Sequence, residues 1–173
     1  GGKYIQSLPD AGLSRGGDAA LVGGAPYVEY LVNIATGGDY RLFVRFAGWD
    51  GSSDSLYVQI REVTTPAWYR FIGTAGNPVN FATIKDSTTG GPAVGWNGDA
   101  APSTDAANAV GGGPGGEVKA VYTLKPATYT IRVSQREDGS ALDALILQLA
   151  SLPEPTNPGP AESAFAAPPI TAG

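Results

Sequence analysis

Two loop segments place a tryptophan among carboxylates and amides. Trp49 stands with Asp50 and Asp54 in Gly48-Trp49-Asp50-Gly51-Ser52-Ser53-Asp54, and Trp96 with Asn97 and Asp99 in Gly95-Trp96-Asn97-Gly98-Asp99. A flat aromatic takes the C–H face of a pyranose, and planar polar groups take its hydroxyls, so these residue types in one loop suit sugar recognition. The competing role for a loop tryptophan is to plug one end of a sandwich. Trp68, inside Ala67-Trp68-Tyr69-Arg70-Phe71, reads instead as core or sheet-face packing. The densest charged stretch lies further on: Arg136-Glu137-Asp138-Gly139 forms a turn, and Asp143 follows inside the apolar run Ala141–Ala150. An arginine beside two acids satisfies itself, which makes the turn architectural. A carboxylate in an apolar strand is costly unless a cation or an arginine meets it, so Asp143 requires a partner.

Other chemistry is excluded by composition. The chain has 173 residues with no His and no Cys, so a Ser-His-Asp or Cys-His mechanism, a thiolate metal site and a disulfide framework are all impossible. Two carboxylates suffice for glycoside hydrolysis, but no motif sets two of them face to face, and no enzyme is expected. A net charge of -5 argues against nucleic acid, whose phosphates demand a basic face. No run is apolar and long enough to span a membrane, and none reads as a signal peptide. The chain begins Gly1-Gly2-Lys3, not Met, which reads as a mature or trimmed form, an exported precursor being one explanation.

The elements that must position these residues are short strands. Gly (25) and Pro (14) punctuate bursts of Val, Ile, Thr and Tyr, as in an all-β domain. A two-residue period marks Pro26–Ile34, with Val28, Tyr30, Val32 and Ile34 against Tyr27, Glu29, Leu31 and Asn33. The same period continues after Thr36-Gly37-Gly38-Asp39 in Tyr40, Leu42, Val44 and Phe46, so these two strands are expected to form a hairpin. Further strands are expected over Tyr4–Ser7, Ser55–Glu62, Ala67–Gly73, Pro78–Ile84, Glu117–Leu124, Ala127–Gln135 and Ala141–Ala150. Asp138-Gly139 is expected to turn the last two into a second hairpin with a solvated tip. Residues 85–116, rich in Gly, Ala and Pro, form a loop insertion, and a weak helical pattern marks Ala161–Ala167. The domain covers residues 1–151, and residues 152–173, opened by Pro153-Glu154-Pro155-Thr156-Asn157-Pro158-Gly159-Pro160, are a linker or extended tail.

The ordered series Tyr4-Ile5-Gln6, Leu8-Pro9-Asp10-Ala11-Gly12, Tyr27-Val28-Glu29-Tyr30, Gly38-Asp39-Tyr40-Arg41-Leu42-Phe43-Val44-Arg45, Asp54-Ser55-Leu56-Tyr57-Val58, Ala127-Thr128-Tyr129-Thr130-Ile131, Arg136-Glu137-Asp138-Gly139 and Leu142-Asp143 resembles the galactose-binding-like jelly-roll modules. It is similar to family 6 and family 35 carbohydrate-binding modules and to the C-terminal domain of family 115 glycoside hydrolases, over residues 4–150. The resemblance implies an antiparallel β-sandwich of jelly-roll type, extracellular or at the cell surface, that binds polysaccharide or glycan in loops at one end or on one sheet face. It also implies a structural calcium held near the first strand and by an aspartate on the last, where Asp143 stands; the first strand offers Gln6 where such modules usually have Glu. A second function class stays open: a secreted structural subunit of a filament or surface assembly, self-associating through the C-terminal tail. The Gly/Ala/Pro loop and the absence of His, Cys and Met suit it.

Overall fold

A computed structural model describes residues 4–15, 24–47, 52, 53, 55–64, 68–72, 101, 102, 119–155 and 159–164. The described chain is all-β, with no helix, and its strands form two antiparallel sheets packed as a β-sandwich. In chain order they are β1 (Ile5–Gln6), β2 (Tyr27–Ile34), β3 (Gly38–Ala47), β4 (Ser55–Ile60), β5 (Tyr69–Ile72), β6 (Ala101–Pro102), β7 (Val121–Leu124), β8 (Ala127–Gln135) and β9 (Ala141–Leu149). One sheet has 4 strands in the order β1-β9-β3-β7; the other has 5 in the order β2-β8-β4-β5-β6.

The alternation read in the sequence sets which side chains meet between the sheets. On β3, Tyr40, Leu42, Val44 and Phe46 point inward and join Leu56, Val58 and Ile60 of β4, Phe71 of β5 and Ile131 and Val133 of β8 in one core. Each such side chain, taken fully out of water, contributes on the order of 2 kcal/mol. The inward set of β2 is less deeply covered: Ile34 is 7 % exposed, whereas Val28 and Val32 only pack against the core. At the far side Tyr69 meets Tyr122 edge-on at 5.2 Å and donates to the Val121 carbonyl at 3.0 Å, tying the two sheets together there.

Both expected hairpins are corrected by the pairing. β2 pairs with β8, and β3 pairs with β9 and β7, so the Thr36–Gly38 link carries the chain from one sheet to the other. The Arg136–Ser140 link does the same between β8 and β9. Among the described strands, apart from β4, β5 and β6, which share a sheet, each successive pair changes sheet. A period of two reports which face a residue takes, and it is the same whether the next strand lies alongside or roughly 10 Å away across the core.

Smaller differences have local causes. β4 ends at Ile60, where the Arg61-Glu62 turn begins, and β5 occupies Tyr69–Ile72. Ala101–Pro102, expected in a loop, instead pairs with Tyr69–Arg70, and a proline is tolerated there because the strand lies at the sheet edge. The expected strand over Pro78–Ile84 lies outside the described residues, and residues 161–164 form no helix.

Candidate functional site

Trp49, Asp50, Asp54, Trp96, Asn97 and Asp99 lie outside the described residues. Trp68 is described, and at 3 % exposure it packs on the outer side of the five-stranded sheet, edge-on to Tyr57 at 4.7 Å.

The Arg136–Gly139 turn is not a solvated tip. Glu137 is 5 % and Asp138 2 % exposed, because the segment that precedes β2 wraps around the link. Asp138 accepts the backbone N–H groups of Ala11 (2.8 Å) and Leu13 (2.6 Å), and its own N–H donates to the Leu13 carbonyl at 3.0 Å. Ser14 bridges Glu137 in antiparallel fashion, and the Arg15 N–H donates to the Arg136 carbonyl at 2.7 Å. Glu137 is ion-paired with Arg136 and accepts the Ser55 hydroxyl at 2.5 Å. The Ser140 hydroxyl accepts the Ser55 N–H at 3.1 Å and donates to the Ser53 carbonyl at 2.8 Å. Gly139 sits at φ 88°, where a Cβ would lie 2.5 Å from Asp10 Oδ1 and 2.7 Å from Ser53 Cβ; only glycine fits. Every polar group named here is spent on holding three chain segments together, so the cluster is a structural lock.

Asp143 meets an arginine. The β3–β9 register slips between Arg45 and Phe46, pairing Arg45 with Ala144 and Phe46 with Leu142, so Asp143 is the extra residue of a bulge. The bulge frees its side chain to accept from Arg45 Nε, with the two side chains 13 % and 16 % exposed. Calcium does not fit this donor set. The carboxylate is bonded to a guanidinium, and Gln6 presents its amide nitrogen to the Gly139 carbonyl at 3.0 Å, whereas Ca²⁺ takes six to eight oxygens. Among the described residues no three His, Cys, Asp or Glu side chains converge.

A further constellation appears on the outer face of the five-stranded sheet. Registers set Glu29 of β2 opposite Arg132 of β8, and Arg132 opposite Gln59 of β4. Glu29 Oε1 accepts from Arg132 (2.8 Å to Nε, 2.7 Å to Nη2) and from Arg61 at 3.3 Å. The Arg132 guanidinium lies 3.9 Å over the Tyr27 ring, and Tyr27 remains 54 % exposed. Leu31, on the same face, is 67 % exposed. Glu62 at the end of β4 accepts the Thr130 N–H at 2.9 Å and hydroxyl at 3.0 Å. Its partial burial pushes its carboxyl up, but the bonds from Thr130 and the nearby Arg61 outweigh that and hold it below the usual value. The face therefore offers an accessible ring flanked by fixed donors and acceptors. The sequence held a signal for it: Tyr27 and Leu31 fall on the polar side of β2, where a solvated strand has no use for them.

No protein-family model matches the sequence, and no curated protein matches it.

Proposed function

We propose that the chain is a non-catalytic carbohydrate-binding module of a secreted or cell-surface protein, a galactose-binding-like jelly roll that takes glycan on the outer face of its five-stranded sheet. The observation that carries this reading is Tyr27: its ring is 54 % exposed yet braced by Arg132, which Glu29 holds in turn. A braced, solvent-facing ring loses little freedom when a sugar stacks on it, which is what a stacking platform needs. The sheet-to-sheet alternation of successive strands supports the jelly-roll assignment. The commitment of Glu29 and Glu62 to arginines and to Thr130 supports binding over catalysis, since neither carboxylate stands ready as an acid or a nucleophile.

The test is retention on a glycan array and on insoluble polysaccharides. At least one glycan should be retained, and Tyr27→Ala should weaken that retention by about tenfold or more, which is about 1.4 kcal/mol. An array with no retained glycan, or a Tyr27→Ala variant that binds as before, would overturn the reading.

A second reading, an assembly subunit, is favoured by the free edge of β2. Among the described residues nothing pairs with β2 beyond β8, and a regular eight-residue edge without proline or lysine invites strand addition. Ordered filaments in electron micrographs of the purified protein would favour it; a monomer at high concentration would not.

A further inference from the structure

The proline-rich segment does not leave the sandwich freely. After β9 the Ala150 N–H donates to the Asp39 carbonyl at 2.8 Å, and the Leu152 N–H to the Leu149 carbonyl at 3.0 Å, which turns the chain back over the strand it has just completed. Arg41 of β3 and Gln148 of β9 are cross-strand partners on the outer face of the four-stranded sheet. Both take hold of the returning chain. Gln148 Nε2 donates to the Pro153 carbonyl at 2.8 Å, and Arg41 Nη1 donates to Glu154 Oε1 at 2.5 Å.

An ion pair with one exposed member usually contributes little, because two long side chains must be immobilised to make it. Neither cost applies in full here. Arg41 lies 4.6 Å over the Phe43 ring of its own strand, a contact that braces its guanidinium independently of Glu154. Glu154 stands between Pro153 and Pro155, whose rings fix φ on either side of it. Two preorganised partners, with an amide–carbonyl bond one residue away, make a two-point clamp.

We infer that Leu152–Pro155 is a strap, clamped by Arg41 and Gln148 to the outer face of the four-stranded sheet, and that it sets the direction in which the rest of the C-terminal tail departs. The tail is thereby aimed from the face opposite Tyr27, and whatever the tail carries or joins is held away from the five-stranded face. The strap stands on its own contacts, whether or not Tyr27 binds a sugar.

The chain has no Cys, so two introduced thiols take spin labels uniquely. Labels at Ala161→Cys on the tail and Lys125→Cys on the β7–β8 turn, in the full chain, report the tail's position by pulsed electron resonance. The strap predicts one narrow distance distribution. Glu154→Ala with Gln148→Ala should widen it by about twofold, toward the spread of a flexible linker. Glu154 is 66 % exposed and Gln148 half-buried, so the melting temperature of that variant should fall by no more than a few degrees. A parent distribution already as wide as the variant's, or a variant as narrow as the parent, would overturn the strap.

Discussion

On the outer face of the four-stranded sheet Arg41 lies 4.6 Å over Phe43, and both side chains are buried, at 7 % and 1 % exposure. On the outer face of the five-stranded sheet Arg132 lies 3.9 Å over Tyr27, and that ring is 54 % exposed. Among the described residues the same pair of groups thus stands on both outer faces, each with a carboxylate on the arginine, Glu154 in one case and Glu29 in the other. The difference lies in where the carboxylate comes from. Glu154 arrives from the returning strap, outside the sheet, and the arginine it holds is inaccessible. Glu29 comes from the adjacent strand of the same sheet, so it braces Arg132 from the side and leaves the ring open. The buried arginine–aromatic pair is thus the one that a segment from outside the sheet also meets, and the accessible pair is the one braced from within its own sheet.

The sharpest way to break this comparison is to remove each ring. Phe43→Ala should cost about 3–4 kcal/mol in unfolding free energy, as for a buried phenylalanine, whereas Tyr27→Ala should cost under about 1 kcal/mol. Denaturant melts of the two variants measure both values. Equal losses would mean that the two faces are packed alike and that Tyr27 is part of the core.

A smaller contrast concerns the carboxylates within the sheets. Asp143 and Arg45 are both mostly covered, so Asp143→Ala removes one member of a largely buried ion pair and should cost about 2 kcal/mol. Glu29 is 31 % exposed and Arg61 51 %, so Glu29→Ala should cost about 0.5–1 kcal/mol, while freeing Arg132 to move off the Tyr27 ring. The same melts, with tyrosine fluorescence as a second signal, separate the two. A larger loss for Glu29→Ala would reverse the assignment of the five-stranded face as the loosely held one.

The faces of the strands were legible in the sequence; the pairing of the strands was not. Tyr40, Leu42, Val44 and Phe46 announce an inward stripe by alternation alone, and the stripe is found in the core. The partners of the charged groups come from far along the chain. Asp138 is met by Ala11 across 127 residues and Asp143 by Arg45 across 98, and no local pattern encodes either meeting. For that reason Asp138 read as a solvated turn residue although it is buried. The requirement that Asp143 find a partner could be stated from desolvation alone, with an arginine as one of the answers. Tyr27 was visible as an aromatic on the polar side of β2, yet alternation by itself does not tell a platform from a ring that its neighbours cover.

The mildest probe of the two faces is acid, because each holds one carboxyl below its usual value. Glu154 is lowered chiefly by its hydrogen bond from Arg41, then by the charge of Arg41, with partial burial opposing and Lys119 adding a little. Glu62 is pushed up by burial and more than brought back by Thr130 and Arg61. A group whose folded value is depressed adds stability above its unfolded value of 4.5, and that stability is lost as pH falls through the folded one. At neutral pH both contacts are therefore complete, and below about 4.5 they weaken in different places. Protonating Glu154 should release the strap and raise amide exchange at Leu152, leaving the five-stranded sheet unchanged. Protonating Glu62 should raise exchange at Thr130, at the end of the β4–β8 ladder, leaving the tail in place. With Glu154→Gln the acid response at Leu152 should disappear while that at Thr130 persists. A variant in which both responses vanish together would show that acid loosens the sandwich as a whole and that the two faces are not independent.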